Sequence, residues 1–219
     1  MGRWQLTPED GAALIARAPA MAPVVAHFGL IAREVEDDSF TGLVRIILSQ
    51  QLSDAAARKV WAQLPLEARC SPGALLALIE QEAPLPCTAT KRQALVTIAR
   101  GFISGELSHR QLLRMSQDAR HERLLAIKGV GPWSCAMFDL MVARERDCLL
   151  TGDLGVIRGL KLCFGLDLRA LPRTARQRTE AQLKAQLSPV GSIATFYLWA
   201  ASAARFSPLA ERPQAGASV

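Results

Sequence analysis

The sequence predicts an all-α protein. Three observations carry this: apolar residues recur at helical spacing along almost the whole chain, no stretch alternates in the manner of a half-buried strand, and no repeat or low-complexity block breaks the pattern. Half of the 219 residues are apolar, enough for a sizeable core and too many for a disordered chain.

The elements follow in order. "TPEDGAALIARAP", residues 7–19, opens with Thr7, Pro8 and Glu9, a capped helix start with proline at its first position. "SFTGLVRIILSQQ" places Phe40, Leu43, Val44 and Ile47 on one helix face. Gln50, Gln51 and Leu52 interrupt, and Ser53 caps a new helix from Asp54. Residues 73–81 and 91–104 read as two further helices, with "CSPG" and "EAPLPCTAT" as connections. "SHRQLLRMS" is a short helix, and "RHERLLAIKG" with "PWSCAMFDLMVAR" forms a helical hairpin. "GDLGVIRGLKLCFGL" enters another helix, an arginine-rich connection runs from Arg169 to Arg178, and helices follow near 179–187 and 192–205. The tail "ERPQAGASV" is expected to fray.

Bulk properties exclude several classes. The net charge of +6 suits a polyanionic partner, although basic proteins without one are common. No apolar run reaches the ~20 residues of a membrane span. The start "MGRWQLTPED" lacks the charged and apolar regions of a signal peptide, and Leu6 stands where a myristoylation signal has Ser or Thr. The five cysteines are odd in number, widely spaced and without a CxxC pair, which argues against disulfides and thiolate metal sites. They read as buried free thiols in a reducing compartment. His27, His109 and His121 have no metal-like spacing and read as surface or core residues.

The chemistry concentrates between Ile127 and Leu160. In "LLAIKGVGPWSCAMF", Gly129 and Gly131 flank Val130, and Pro132 stands where a helix begins. Such a turn presents backbone N–H groups and a helix N-terminus to a phosphate oxygen, with Lys128 beside them. An ordinary helical hairpin also uses glycine; the whole string, apolar–x–Gly–Val–Gly, favours the phosphate grip. Trp133 shares a helix face with Ala136, Met137, Leu140 and Met141, so core packing and a place at the edge of a base pocket weigh equally on the residues alone. Asp153, in "LLTGDLGVIRGL", reads alone as an N-cap, a role compatible with an ionised catalytic carboxylate. In "LSQQLSD", Gln50 and Gln51 separate two apolar helices; a solvated turn and a side chain that enters a base stack stay open as readings. The Arg169–Arg178 stretch is either a solvated connection or a phosphate-neutralising patch.

These segments resemble the helix-hairpin-helix DNA glycosylase superfamily. The hairpin followed by "TGDLGVIRGL" carries that likeness, and "IILSQQLSDAAARKV" with "SPVGSIATFYLWA" is similar to the 3-methyladenine DNA glycosylase II branch, over roughly residues 10–205. The resemblance implies two helical domains with a DNA-binding cleft between them. One would be a six-helix barrel over 39–154, carrying the helix-hairpin-helix at about 120–143. The other would combine 1–38 with 155–219, without the extra N-terminal β domain of larger relatives. It also implies Asp153 as the catalytic residue, and Lys128, Gly129, Val130, Gly131 and Ser134 as the DNA-binding hairpin. Gln51, Leu52 and Ser53 would plug the duplex after flipping. Trp133, Met137, Leu154 and Leu187 would line the base pocket. Leu154, Met137, Leu187 and Gly191 replace aromatic or arginine residues usual in the branch, so a less aromatic pocket is expected.

The expected reaction is hydrolysis of the N-glycosidic bond of a flipped, alkylated purine such as 3-methyladenine or 7-methylguanine. A charged alkylpurine leaves as a neutral base without a proton donor, and Asp153 would stabilise the oxocarbenium-like transition state and orient water. Trp133 stands where lyase members have their lysine nucleophile, so a monofunctional enzyme is expected. The rivals are a non-catalytic, structure-specific DNA-binding module and a bifunctional glycosylase/lyase acting on oxidised bases. No cofactor is expected, and no metal on side chains; hairpin carbonyls near Gly129 could hold a monovalent cation. The expected partner is duplex DNA, with no membrane and no obligate protein partner, for a monomer that is cytoplasmic (nucleoid-associated in a bacterium, nuclear in a eukaryote).

Overall fold

The computed structural model describes residues 2–81 and 85–209; the tail expected to fray and residues 82–84 of the "EAPLPCTAT" connection lie outside that range. Among the described residues are thirteen α-helices and one two-stranded sheet. The helices are α1 (Pro8–Arg17), α2 (Ala22–Phe28), α3 (Ser39–Ser49), α4 (Asp54–Gln63), α5 (Leu66–Cys70), α6 (Pro72–Glu80), α7 (Ala89–Ser104), α8 (His109–Arg114), α9 (Gln117–Leu125), α10 (Pro132–Met141), α11 (Leu154–Phe164), α12 (Arg173–Leu187) and α13 (Gly191–Ala204). None is long and apolar enough to cross a membrane.

Several features depart from the sequence reading, the short helices α2 and α5 among them, which were not expected. Strands β1 (Gly2–Gln5) and β2 (Ala32–Val35) pair, although no strand was expected; four residues each give too short a run for alternation to register. The Arg169–Arg178 connection is helical from Arg173 onward. Pro172 starts that helix and Arg, Gln, Ala and Glu propagate it, with Arg176 Nε donating to Glu180 Oε1 at 2.8 Å one turn on. Its weak apolar period concealed it.

The chain forms two compact units. The first contains residues 1–2 and 35–144, and the second residues 3–34 and 145–219. The last crossing, between residues 144 and 145, falls ahead of Asp153, so Asp153 belongs to the unit built from both chain ends rather than to the barrel segment in which the sequence placed it.

The first unit packs α3 through α10 around Phe40, Leu43, Val44, Ile47, Leu95, Ile98 and Phe138, all buried. Asp38, Ser53, Ser71, Thr88, Ser108 and Ser116 cap successive helices through their side-chain oxygens, each satisfying an otherwise orphaned amide. In the second unit α11 packs on α13, with Val156, Leu160, Ile193, Phe196 and Leu198 buried. Thr7 caps α1, as the sequence signalled, and Asp10 completes a capping box there while also pairing with Arg146. All five cysteines are free thiols. Cys135, Cys148 and Cys163 are buried as expected, whereas Cys87 is half-buried and Cys70 is exposed.

Candidate functional site

The hairpin in the first unit is built from backbone constraints. Val130 N donates to Ile127 O at 2.9 Å, closing the turn, and both side chains are buried, anchoring it to the core. Gly129 has φ +97°, a conformation L side chains rarely adopt, and a Cβ there would lie 3.1 Å from Ala94 Cβ and 3.2 Å from the Thr90 carbonyl. Gly131 differs: it is extended, it is the N-cap of α10, and a Cβ would meet nothing within 4 Å. No side chain caps α10, so its N-terminal amides and dipole present positive potential where Gly131 leaves open space. Lys128 beside them is exposed.

One of the hairpin expectations changes. Ser134 is buried, and its Oγ accepts from Gln50 Nε2 at 2.9 Å, so its hydroxyl faces the protein rather than a ligand. The Gly129 carbonyl, one of the hairpin carbonyls, accepts from the same Gln50 nitrogen at 2.8 Å, which engages one of its two lone pairs. Among the described residues, no group of three or more His, Cys, Asp or Glu side chains could hold a metal ion.

Beneath the hairpin lies a buried ion pair that sequence reasoning missed. Arg120 Nε on α9 donates to Asp139 Oδ1 on α10 at 2.7 Å, with both side chains out of solvent. Arg120 Nη1 also donates to the Leu112 carbonyl at 3.2 Å, and Asp139 Oδ2 accepts from Gln117 and His121. The pair clamps the two arms of the hairpin. Burial, helped by the Asp139 charge, pushes the neighbouring Cys135 thiol up to about 11.

The duplex-plug candidates follow α3. Gln51 is exposed and holds φ +57°, unusual for a non-glycine residue. Leu52 is an exposed apolar side chain, whereas the Ser53 oxygen is used to cap α4. Lys91 Nζ donates to the carbonyls of Leu48 and Gln50 at 2.9 and 2.7 Å, capping the C-terminus of α3. Burial lowers the pKa of Lys91 from the ordinary lysine value.

In the second unit Asp153 is the N-cap of α11. Its Oδ1 accepts from Gly155 N at 2.8 Å, from Val156 N at 3.1 Å and from Trp199 Nε1 at 2.8 Å. Three N–H donors on one oxygen fix the carboxylate rotamer. Gly155 makes the third bond possible, because a Cβ there would lie 2.7 Å from Trp199 Cδ1. The Arg33 guanidinium carbon lies over the Trp199 ring, 5.9 Å from its centre. Trp199 falls within "ATFYLWA", a segment used for the family likeness, but nothing in its sequence position singled it out.

The four expected pocket residues divide between the units. Trp133 and Met137 are half-buried against the core of the first unit. Leu154 and Leu187 belong to the second; Leu154 is exposed, while Leu187 is buried and offers no surface to a base.

No family model matches the chain. A curated relative, "DNA-3-methyladenine glycosylase" of Bacillus subtilis, is 29% identical over 144 residues, covering 65% of this chain and 44% of its own length. The chain thus spans under half of that relative. The "Alkylbase DNA glycosidase-like protein mag2" of Schizosaccharomyces pombe is 26% identical over 173 residues, 75% of this chain and 78% of the relative. Among solved structures, the Schizosaccharomyces pombe 3-methyladenine DNA glycosylase in complex with abasic DNA superposes with a TM-score of 0.75 at 22% identity, over 89% of this chain and 97% of that one. The resemblance read in the sequence is borne out: the chain is similar in sequence to proteins named as alkylbase DNA glycosylases, and it has their all-α fold.

Proposed function

We propose that the chain is a DNA base-excision repair enzyme. It hydrolyses the N-glycosidic bond of alkylated purines, such as 3-methyladenine and 7-methylguanine, flipped out of duplex DNA, and it has no lyase activity. The observation that carries this reading is Asp153: a carboxylate at a helix N-terminus, held in one rotamer by two backbone amides and the Trp199 indole. A carboxylate so restrained has little reorganisation left to undergo when positive charge develops on the sugar, and preorganisation of this kind is where electrostatic catalysis gains most. The names of the relatives support the substrate class.

The roles follow. The Gly129–Gly131 turn with Lys128 grips a DNA phosphate, and Gln51 and Leu52 fill the gap left by the flipped nucleotide. Trp133, Met137 and Leu154 contact the base. A charged alkylpurine leaves as a neutral base, so no general acid is required. Tryptophan at position 133 supplies no amine for a Schiff base, and water completes the reaction. The enzyme acts as a monomer on duplex DNA, in the cytoplasm at the nucleoid or in the nucleus.

Methylated duplex DNA incubated with the protein, with free base quantified, tests this. Wild-type protein should release methylpurine, and Asp153→Asn should slow single-turnover release by at least about 100-fold. Binding without release by the wild type would favour a non-catalytic module. A covalent adduct trapped by borohydride would overturn the monofunctional assignment.

A further inference from the structure

We propose that Gln50 is a positioning residue that fastens the duplex-plugging loop to the phosphate-gripping hairpin, so that the two elements engage DNA in one fixed register. The inference rests on the roles proposed above for the Gly129–Gly131 turn and for Gln51.

The side-chain amide of Gln50 reaches across 79 residues of sequence to donate to the Gly129 carbonyl at 2.8 Å and to Ser134 Oγ at 2.9 Å. One acceptor lies in the turn and the other in the first two turns of α10, so the amide touches both halves of the grip. The backbone of the same residue is held as well. Its N–H closes the last turn of α3 on Ile47 O, and its carbonyl accepts from Lys91 Nζ at 2.7 Å. The next residue, Gln51, holds φ +57° with an exposed side chain. A non-glycine residue persists there only where its surroundings over-determine it. Gln50, through its side-chain amide, and Lys91, on the Gln50 carbonyl, supply that constraint.

The functional consequence is geometric. A plug must enter the stack at a set distance from the gripped phosphate. A loop free to shift by an ångström would still let the hairpin bind but would lose the insertion. Gln50 therefore acts through Gln51 and through the hairpin, and touches no DNA itself.

The experiment compares Gln50→Leu, Gln51→Ala and the double variant, each as the full chain. Insertion is read by the fluorescence of 2-aminopurine opposite a tetrahydrofuran abasic analogue, which needs no glycosylase activity. Base release is read in single turnovers on methylated duplex, and affinity on undamaged duplex. Gln50→Leu should keep undamaged-duplex affinity within about threefold while losing most of the fluorescence change and slowing release about tenfold, the scale of one lost buried hydrogen-bond set. The double variant should be no slower than the slower single variant, because both remove the same insertion. Multiplicative losses, or an unchanged fluorescence response in Gln50→Leu, overturn the proposal. If Gln50→Leu fails to fold, Ser134→Ala removes one of the two acceptors, and it should lower the fluorescence response in the same direction by a smaller factor. If wild-type protein inserts but releases no base, the glycosylase reading fails while the register inference stands.

Discussion

The hairpin and the Asp153 turn are both glycine-bearing helix entrances, yet they are held by different means. At the hairpin, shape comes from the backbone: Gly129 takes a conformation other residues avoid, in a space where a Cβ would be tight against Ala94 and the Thr90 carbonyl, and the flanking Ile127 and Val130 tie it to the core. At Asp153 the backbone is ordinary, with φ −83°, and the carboxylate is held by partners, one of them Trp199, 46 residues away. A grip that must present amides needs a rigid main chain. A carboxylate that must face a developing charge needs a rigid side chain, and a side chain is fixed only by what touches it.

The largest test of this contrast is Arg120→Ala. The hairpin's two arms are also clamped by the buried Arg120–Asp139 pair, with Gln117 and His121 of α9 on the other carboxylate oxygen. Removing Arg120 takes the guanidinium from a buried carboxylate and leaves it only those two partners, and a loss of about 3 kcal/mol in folding stability is expected. Urea unfolding followed by circular dichroism measures it. A loss below about 1 kcal/mol would mean the turn, with Gln117 and His121 on Asp139, holds the hairpin without the arginine.

The same division decides what the sequence could disclose. Gly129, Val130, Gly131 and Pro132 are contiguous, so their joint constraint was legible as a motif. The caps at Thr7 and Ser53 were legible for the same reason, because each acts within three residues. Asp153 was visible as a cap and, through the family likeness, as a catalytic candidate. Trp199 and Gln50 were not legible as supports, since their partners lie on other helices and no local period marks them. The first turns of α12, residues 173–178, escaped because the Arg- and Gln-rich face there buries little, and β1 and β2 escaped because four residues make too brief an alternation. The inward turn of Ser134 needed Gln50 to be placed first.

A smaller effect separates packing from chemistry at the Asp153 turn. Gly155→Ala gains up to about 1 kcal/mol of helix propensity. It also drives a methyl group into Trp199 Cδ1 and to 3.0 Å from Asp153 Oδ1, an overpacking that costs about 1–3 kcal/mol. The gain offsets part of the cost and leaves a net loss of up to about 2 kcal/mol, so the melting temperature should fall by a few degrees. The indole, however, must leave its hydrogen bond, and methylpurine release should slow by about tenfold, the rate equivalent of a typical net hydrogen bond to a charged group. Thermal melts and single-turnover release on the same preparation check this. Unchanged release would show that the two backbone amides suffice to hold the carboxylate, and would remove Trp199 from the comparison.

The smallest stability effect belongs to Gly131→Ala, and its smallness makes it the cleanest probe of the grip. Position 131 is extended, with φ −119°, so alanine adopts it without strain, and the added methyl group meets no protein atom within 4 Å. Stability should stay within about 0.5 kcal/mol of wild type. That methyl group would instead occupy the open space before the α10 N-terminus, where a phosphate oxygen must approach to accept amide hydrogen bonds. Affinity for undamaged duplex should fall by roughly threefold to tenfold, since a hydrogen bond to a charged group contributes about 1.5 kcal/mol or more and is here weakened rather than removed. Gly129→Ala gives the contrast: its methyl group clashes with Ala94 and the Thr90 carbonyl at a left-handed φ, so stability and affinity should fall together. Fluorescence anisotropy with a labelled duplex, beside denaturant midpoints for both variants, reads the two quantities separately. Equal affinity in Gly131→Ala and wild type would place the phosphate contact elsewhere, and the rigid backbone of the hairpin would then serve the fold rather than the DNA.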